Sequence, residues 1–252
     1  LFFKMEDMRF DLVIGNPPFQ ESHHKGKTSS LWKKFLAKSE ELSDRVSLII
    51  PASFTSPTKL FDFYKNRLSL LDLTVGDYFS GVGSSFCRIV LEKEYQSTCK
   101  VITKGGQYDL KMVEWDCIPK NLDDDIMSLI EKYFVEGGRK WTVSYDYESR
   151  KKVFCDKGKY EIIHSTKTFR SNKSSSMLNT VKVYCTLTNG TKFKVAHINQ
   201  GFTQNAIWTP CKTVEEAEEL VDKLNQQDVQ KLLKVFQYSN INYLKVINKL
   251  NV

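Results

Sequence analysis

Phe10-Asp11-Leu12-Val13-Ile14-Gly15-Asn16-Pro17-Pro18-Phe19 is the stretch from which the rest of the chain is read. Phe10 to Gly15 is a short apolar run ending on glycine, which reads as a buried parallel strand whose carboxyl end lies at Asn16. Two consecutive prolines then forbid both a continued ladder and a helix interior, so Pro17 and Pro18 make a stiff, extended turn. Beyond the polar loop from Gln20 to Ser30, apolar residues at Leu31, Trp32, Phe35, Leu36 and Leu42 have helical spacing, with Ser29 or Ser30 as the cap. Val46 to Ile50 is a second buried strand, stopped by Pro51, and Leu60 to Leu71 reads as a further helix. Strands are expected near Asp72 to Tyr78 and Phe86 to Glu92, with Gly81-Val82-Gly83 turning between them. Strand, helix, strand, helix and then a strand pair is an α/β order of layers.

The pattern changes between Gln96 and Gly106. A helix follows from about Leu122 to Phe134, with Asn121 as a possible cap. The text is then strand-like from Trp141 to Trp208: Trp141 to Tyr145, Lys152 to Phe154, Tyr160 to Ile163, Val181 to Tyr184, and Lys192 to Val195. Asn189-Gly190 is a hairpin signal. The tail from Thr213 to about Tyr238 is helical, and Thr213-Val214-Glu215-Glu216 has the form of a capping box.

Composition sets bounds on this reading. The chain has 252 residues, 41% hydrophobic and 27% charged, which excludes a wholly disordered or fibrous chain. No apolar run approaches the roughly 18 residues of a membrane span, so no membrane association is expected. The six cysteines are scattered without a Cys-x-x-Cys pair, which argues against a zinc ribbon and fits small buried thiols in a reducing, cytoplasmic setting. His23 and His24 have no companion ligand pattern and read as loop residues, and Asp123-Asp124-Asp125 suits a helix amino terminus. The formal charge is +7, unevenly spread. Between Arg150 and Lys212 there are 12 basic residues and 2 acidic ones, a local +10. Such clustering favours a polyanion, and Lys151, Lys152, Lys167, Arg170, Lys173, Lys192 and Lys194 are the candidate contacts.

The chemistry sits at the strand end, where ligands bind α/β sheets. The prolines fix the backbone, so the Pro17 carbonyl can be aimed, and Asn16 offers a side-chain carbonyl beside it. Two acceptors converging on one point suit the two hydrogens of an amino group. Phe19 adds a π face for a flat heterocycle.

The segment from Phe10 to Gln20 resembles the catalytic motif of S-adenosylmethionine-dependent amino-methyltransferases, Asp/Asn/Ser-Pro-Pro-Tyr/Phe/Trp. Its asparagine-first form is typical of gamma-order adenine-N6 DNA methyltransferases of restriction-modification and phage systems. Asp44 to Phe54 is similar to the family's next strand with its proline-containing end, and Tyr78 to Lys93 to its late hairpin. The resemblance implies a Rossmann-like sheet of which residues 1–98 are the catalytic half, followed over 99–252 by a smaller α+β target-recognition domain with a helical tail. It implies S-adenosylmethionine as methyl donor, with Asn16 beside it. Double-stranded DNA is the implied partner and a monomer the expected state. Asn16, Pro17, Pro18 and Phe19 would be catalytic, and Phe79 resembles the residue that packs on the extruded base from its second side. A core aromatic at a strand end is the plainer reading of Phe79.

One family feature departs from its place. The glycine-rich cofactor loop lies ahead of the catalytic motif, yet only fifteen residues precede Asn16 and none fits. The chain opens on Leu1, so a truncation is expected, on the order of 100 residues at roughly 30 per β-α-β unit. Gly81-x-Gly83 is no substitute, since no helix is expected after it. Two other readings stay open: an enzyme modifying a glutamine side chain or ribosomal RNA, and a non-catalytic DNA-binding remnant. Incubated with radiolabelled S-adenosylmethionine and DNA, the 252-residue chain is expected to transfer no methyl group. Robust labelling would show that the cofactor loop has been misjudged.

Overall fold

A computed structural model describes residues 9–19, 30–79, 85–143, 154–174, 177–188, 190–238 and 240–252. Two compact units divide the chain, Leu1–Asp123 and Asp124–Val252. No helix among the described residues is long and apolar enough to cross a membrane.

The first unit contains β1 (Val13–Gly15), α1 (Leu31–Leu42), β2 (Arg45–Pro51), α2 (Lys59–Tyr64), β3 (Leu68–Asp72), β4 (Phe86–Glu92), β5 (Cys99–Thr103) and β6 (Gly106–Leu110). The strands form one mixed sheet in the order β1-β2-β4-β3-β5-β6. β1 and β2 are parallel, joined through α1, and β4 is antiparallel to both of its neighbours. Alternation sets the core: Val46, Leu48 and Ile50 of β2 are buried, together with Trp32 and Leu36 of α1 and Cys87, Ile89 and Leu91 of β4. On β1, Ile14 is 72% exposed, and its register partner Ser47 lies on the same face. The helices α1 and α2 are tied by Glu40, which accepts from the Tyr64 hydroxyl at 2.6 Å and pairs with Arg67.

Several expectations are corrected here. The helix read over Leu60–Leu71 ends at Tyr64, and a 3-10 turn leads into β3 at Leu68. Leu68 and Leu71 are wholly buried in a strand paired on both sides, so sheet position overrides their helical spacing. The strand expected over Asp72–Tyr78 is instead a 3-10 helix, Val75–Tyr78. β5 pairs with β3 and carries β6 into the same sheet, so the first compact unit runs past residue 98 to Asp123. Asn121 does not cap the next helix; its side chain donates to Asp123.

The second unit contains α3 (Asp124–Tyr133), β7 (Thr142–Val143), β8 (Tyr160–His164), β9 (Lys167–Ser171), β10 (Val181–Thr186), β11 (Lys194–Ala196), β12 (Gln200–Phe202), β13 (Ala206–Cys211), α4 (Val214–Leu224), α5 (Gln227–Val235) and α6 (Leu244–Ile247). Two small sheets result, β11-β10-β13-β7 and β12-β8-β9. Ile162, Ile163, Met177, Tyr184, Ala196, Phe202 and Ala206 form a shared core. Thr213 caps α4 by accepting from the Glu216 amide at 3.1 Å, but the capping box is not closed. The Glu216 carboxylate goes instead to Arg139 and to the Lys212 amide. The strand read over Lys192–Val195 starts only at Lys194. The Asn189-Gly190 hairpin is longer than a two-residue turn, since Tyr184 is the last β10 residue opposite β11. Asn189 itself, like Lys152 and Val153, lies outside the described residues.

One core member is unexpected. Lys182 of β10 is wholly buried, and its ammonium donates to the Met177 carbonyl at 2.6 Å. Burial pushes its pKa down to about 8. Between that value and the roughly 10.4 of an unfolded lysine, the unfolded state binds the extra proton, so stability rises with pH across this window. Lys182→Met should therefore raise stability at pH 7 by about 1–3 kcal/mol, less whatever the lost hydrogen bond contributed. The gain should shrink from about pH 8 upward, as wild type sheds the proton on folding. Thermal unfolding between pH 6 and pH 10 checks this, and a variant less stable than wild type at pH 7 contradicts it.

Candidate active site

The loop Asn16–Phe19 leaves the carboxyl end of β1, beside the parallel strand β2. Asn16 and Pro18 are exposed, Pro17 is buried, and Phe19 is half-buried. Burial of Pro17 anchors the turn while Asn16 stays open to solvent. This is the placement needed for a polar side chain to meet a ligand at the sheet's edge.

Phe19 stacks on Phe86, with ring centroids 4.7 Å apart and planes inclined by 23°. Phe79, at the end of the 3-10 helix that follows β3, is half-buried and meets the same Phe86 ring edge-on at 5.0 Å. The two aromatics singled out in the sequence are thus brought together through a third, which sequence reasoning had passed over. Phe86 is 2% exposed. The only signal for it was its place as the first apolar residue of an expected strand. It sits opposite Pro51 in the β2–β4 ladder, and the Ser85 carbonyl before it accepts from the Ala52 amide at 2.9 Å. Cys87, next along β4, is no nucleophile, because burial holds its thiol protonated and nearby Asp72 reinforces this. Gly81 and Gly83 lie outside the described residues, but the flanking elements are a 3-10 helix and β4.

The basic residues of the second unit fall into separate groups. Lys167, Arg170 and Lys173 lie on or just after β9, an edge strand of the three-stranded sheet, and all three are exposed. Arg170 also pairs with Glu161 at 3.4 Å. Lys192 and Lys194 are exposed on either side of Phe193, whose buried ring packs near Trp141. Neutral amides hold this segment. The Asn225 side chain accepts from the Phe193 amide and donates to its carbonyl, at 2.9 and 3.0 Å, and Gln230 donates to the Thr191 carbonyl at 3.0 Å. The lysines are thus presented without being consumed as structural donors. Lys182, counted with them from sequence, is buried and leaves the surface set. Arg150, Lys151 and Lys152 lie outside the described residues, as do His23 and His24.

Comparison with known proteins bears on the first unit. Residues 1–74, which contain the Asn16–Phe19 loop, match the family model described as Eco57I restriction-modification methylase. No curated protein matches the chain. Among solved structures, one from a type I R-M system is similar at 20% identity and a TM-score of 0.29, covering 38% of this chain and 23% of that one. The type IIL restriction-modification enzyme MmeI, solved in complex with DNA, is similar at 10% identity and a TM-score of 0.41, covering 80% of this chain and 41% of that one. The chain thus spans less than half the length of either.

If the exposed lysines track phosphates, DNA binding by the chain should weaken steeply with salt. Each neutralised phosphate contributes about −0.9 to the slope of log affinity against log salt, and roughly four to six contacts are expected. The double change Lys192→Glu and Lys194→Glu should weaken binding to all sequences alike, since phosphate contacts carry no base information. A flat salt response, or unchanged affinity in the double variant, would mark these residues as a solvated surface.

Proposed function

We propose that the chain carries the acceptor-binding and target-recognition parts of a DNA adenine-N6 methyltransferase of a restriction-modification or phage system. The observation that carries this is the Asn16-Pro17-Pro18-Phe19 loop at the end of β1, within the 74 residues that match the methylase family model. The parallel β1-α1-β2 unit and the antiparallel β4 inserted beside β2 support a Rossmann-like methyltransferase sheet with its late hairpin.

On this reading the Asn16 side-chain carbonyl accepts one hydrogen of the adenine amine and the Pro17 carbonyl the other. Both acceptors push electron density onto the nitrogen as it becomes the nucleophile. Phe19 stacks on the ring, and Phe79 closes a second side. No general base is required beforehand, because the nitrogen sheds its proton after bond formation. The target base must leave the duplex at a cost of a few kcal/mol, and stacking worth about 1–3 kcal/mol offsets much of it. S-adenosylmethionine supplies an electrophilic methyl group when bound. The described residues fit the acceptor side of that reaction and not the donor's nucleoside, so only Asn16 is assigned to the donor. The exposed Lys167, Arg170, Lys173, Lys192 and Lys194 fit phosphate contacts that position a duplex.

The test is made in a methylation-deficient bacterial host expressing the whole coding locus that contains the 252-residue chain. Mass spectrometry of host DNA should reveal N6-methyladenine, and Asn16→Ala should lower it at least about a hundredfold, as for a lost transition-state contact worth near 3 kcal/mol. DNA affinity should change less than about twofold, since phosphate contacts dominate it. A methylated cytosine, a methylated protein glutamine, or full methylation by Asn16→Ala would each overturn the assignment.

A further inference from the structure

We infer that Phe86 is a positioning residue for the target base: a buried ring that orients Phe19 and Phe79 before any base arrives. The inference rests on the reading of Asn16–Phe19 as the acceptor site and adds to it a residue that touches no substrate.

Phe19 stands on a loop that follows a strand of only three residues, and β1 is paired among the described strands with β2 alone. A ring so placed would sample several rotamers, and fixing it only on base capture would subtract from affinity. Stacking on Phe86 at 4.7 Å with a 23° inclination removes that freedom in advance. The ring beneath is itself immobile. Phe86 is 2% exposed, is held by register to Pro51, and is flanked by the Ala52–Ser85 backbone hydrogen bond. The contact with Phe79 has the other favoured geometry, edge-to-face at 5.0 Å and 63°. One rigid ring therefore fixes the mutual angle of the two rings assigned to the base. Phe86 cannot be the stacking surface itself, since Phe19 covers it.

The experiment uses the 252-residue chain and two DNA duplexes that each carry one 2-aminopurine and differ only in whether it is paired or set opposite an abasic site, where extrusion costs least. The ratio of the two affinities measures base capture, and 2-aminopurine fluorescence reports stacking. Wild type should prefer the unpaired base, and Phe19→Leu should abolish the preference. Phe86→Leu should reduce it about two- to tenfold, the range for loss of one aromatic pair. Phe86→Met, an unbranched and more adaptable side chain without a ring, should do the same if the leucine variant folds poorly. In the Phe19→Leu background, where the preference is already lost, neither change should lower the ratio further. An unchanged ratio in both Phe86 variants overturns the inference alone, including the case in which affinity for both duplexes falls together, which would mark a general packing defect. No preference in wild type, or none lost in Phe19→Leu, overturns the base-capture reading and this inference with it.

Discussion

Seven consecutive register pairs join Arg45–Pro51 to Phe86–Glu92, and the first unit is arranged around that antiparallel ladder. On one side β2 carries β1 and the Asn16–Phe19 loop; on the other β4 carries β3, then β5 and β6. The buried faces of the two strands, Val46, Leu48 and Ile50 with Cys87, Ile89 and Leu91, are the floor on which α1 rests. The ladder ends at Pro51 opposite Phe86. That terminal pair brings a chain segment from beyond residue 80 under a ring from before residue 20. A one-residue slip would turn Phe86 to the other face and leave Phe19 unsupported.

Much of this was legible where the sequence is punctuated. α1 has the expected bounds because the polar loop and Ser43 frame a helical run. β2 is stopped at Pro51, and β1 ends at Gly15 before two prolines. What failed to read was what depends on neighbours. Leu68 to Leu71 have spacing that suits a helix, and only pairing on both edges makes them a strand. β5 and β6 contain Lys100, Asp109 and Gln107 among their residues, so their membership of the sheet lacks an apolar signature. Phe86 looked like one more strand apolar, because nothing local says that two distant aromatics close on it.

The second unit shows how poorly charge counting resolves individual side chains. Lys182 contributes to the local excess in the sequence yet lies inside the core, bonded to a backbone carbonyl. Lys192 and Lys194 remain outside because Phe193 between them is the residue that buries. Alternation, more than charge, decides which lysines face water. The connection from β10 to β11 is braced by amides: Asn242 donates to the Thr186 and Gly190 carbonyls at 2.7 and 2.6 Å, and Gln237 donates to Asn242 in turn. Such neutral donors and acceptors serve a basic surface well, since carboxylates in the same roles would cancel the field that the lysines create.

The strand that aims the Asn16 loop is the shortest in its sheet, three residues with partners on one side among the described strands. Its opening therefore breaks three register pairs and leaves the seven-pair β2–β4 ladder untouched. Stability in such a sheet is graded, and amide protons near Val13 to Gly15 are expected at its low-energy end, exchanging through local opening below the global unfolding free energy. The Asn16 loop is thus carried on the most easily released strand of an otherwise firm scaffold. Anything that pairs with or covers β1 will tighten the site from a distance, without touching Asn16, by narrowing the set of positions its backbone visits.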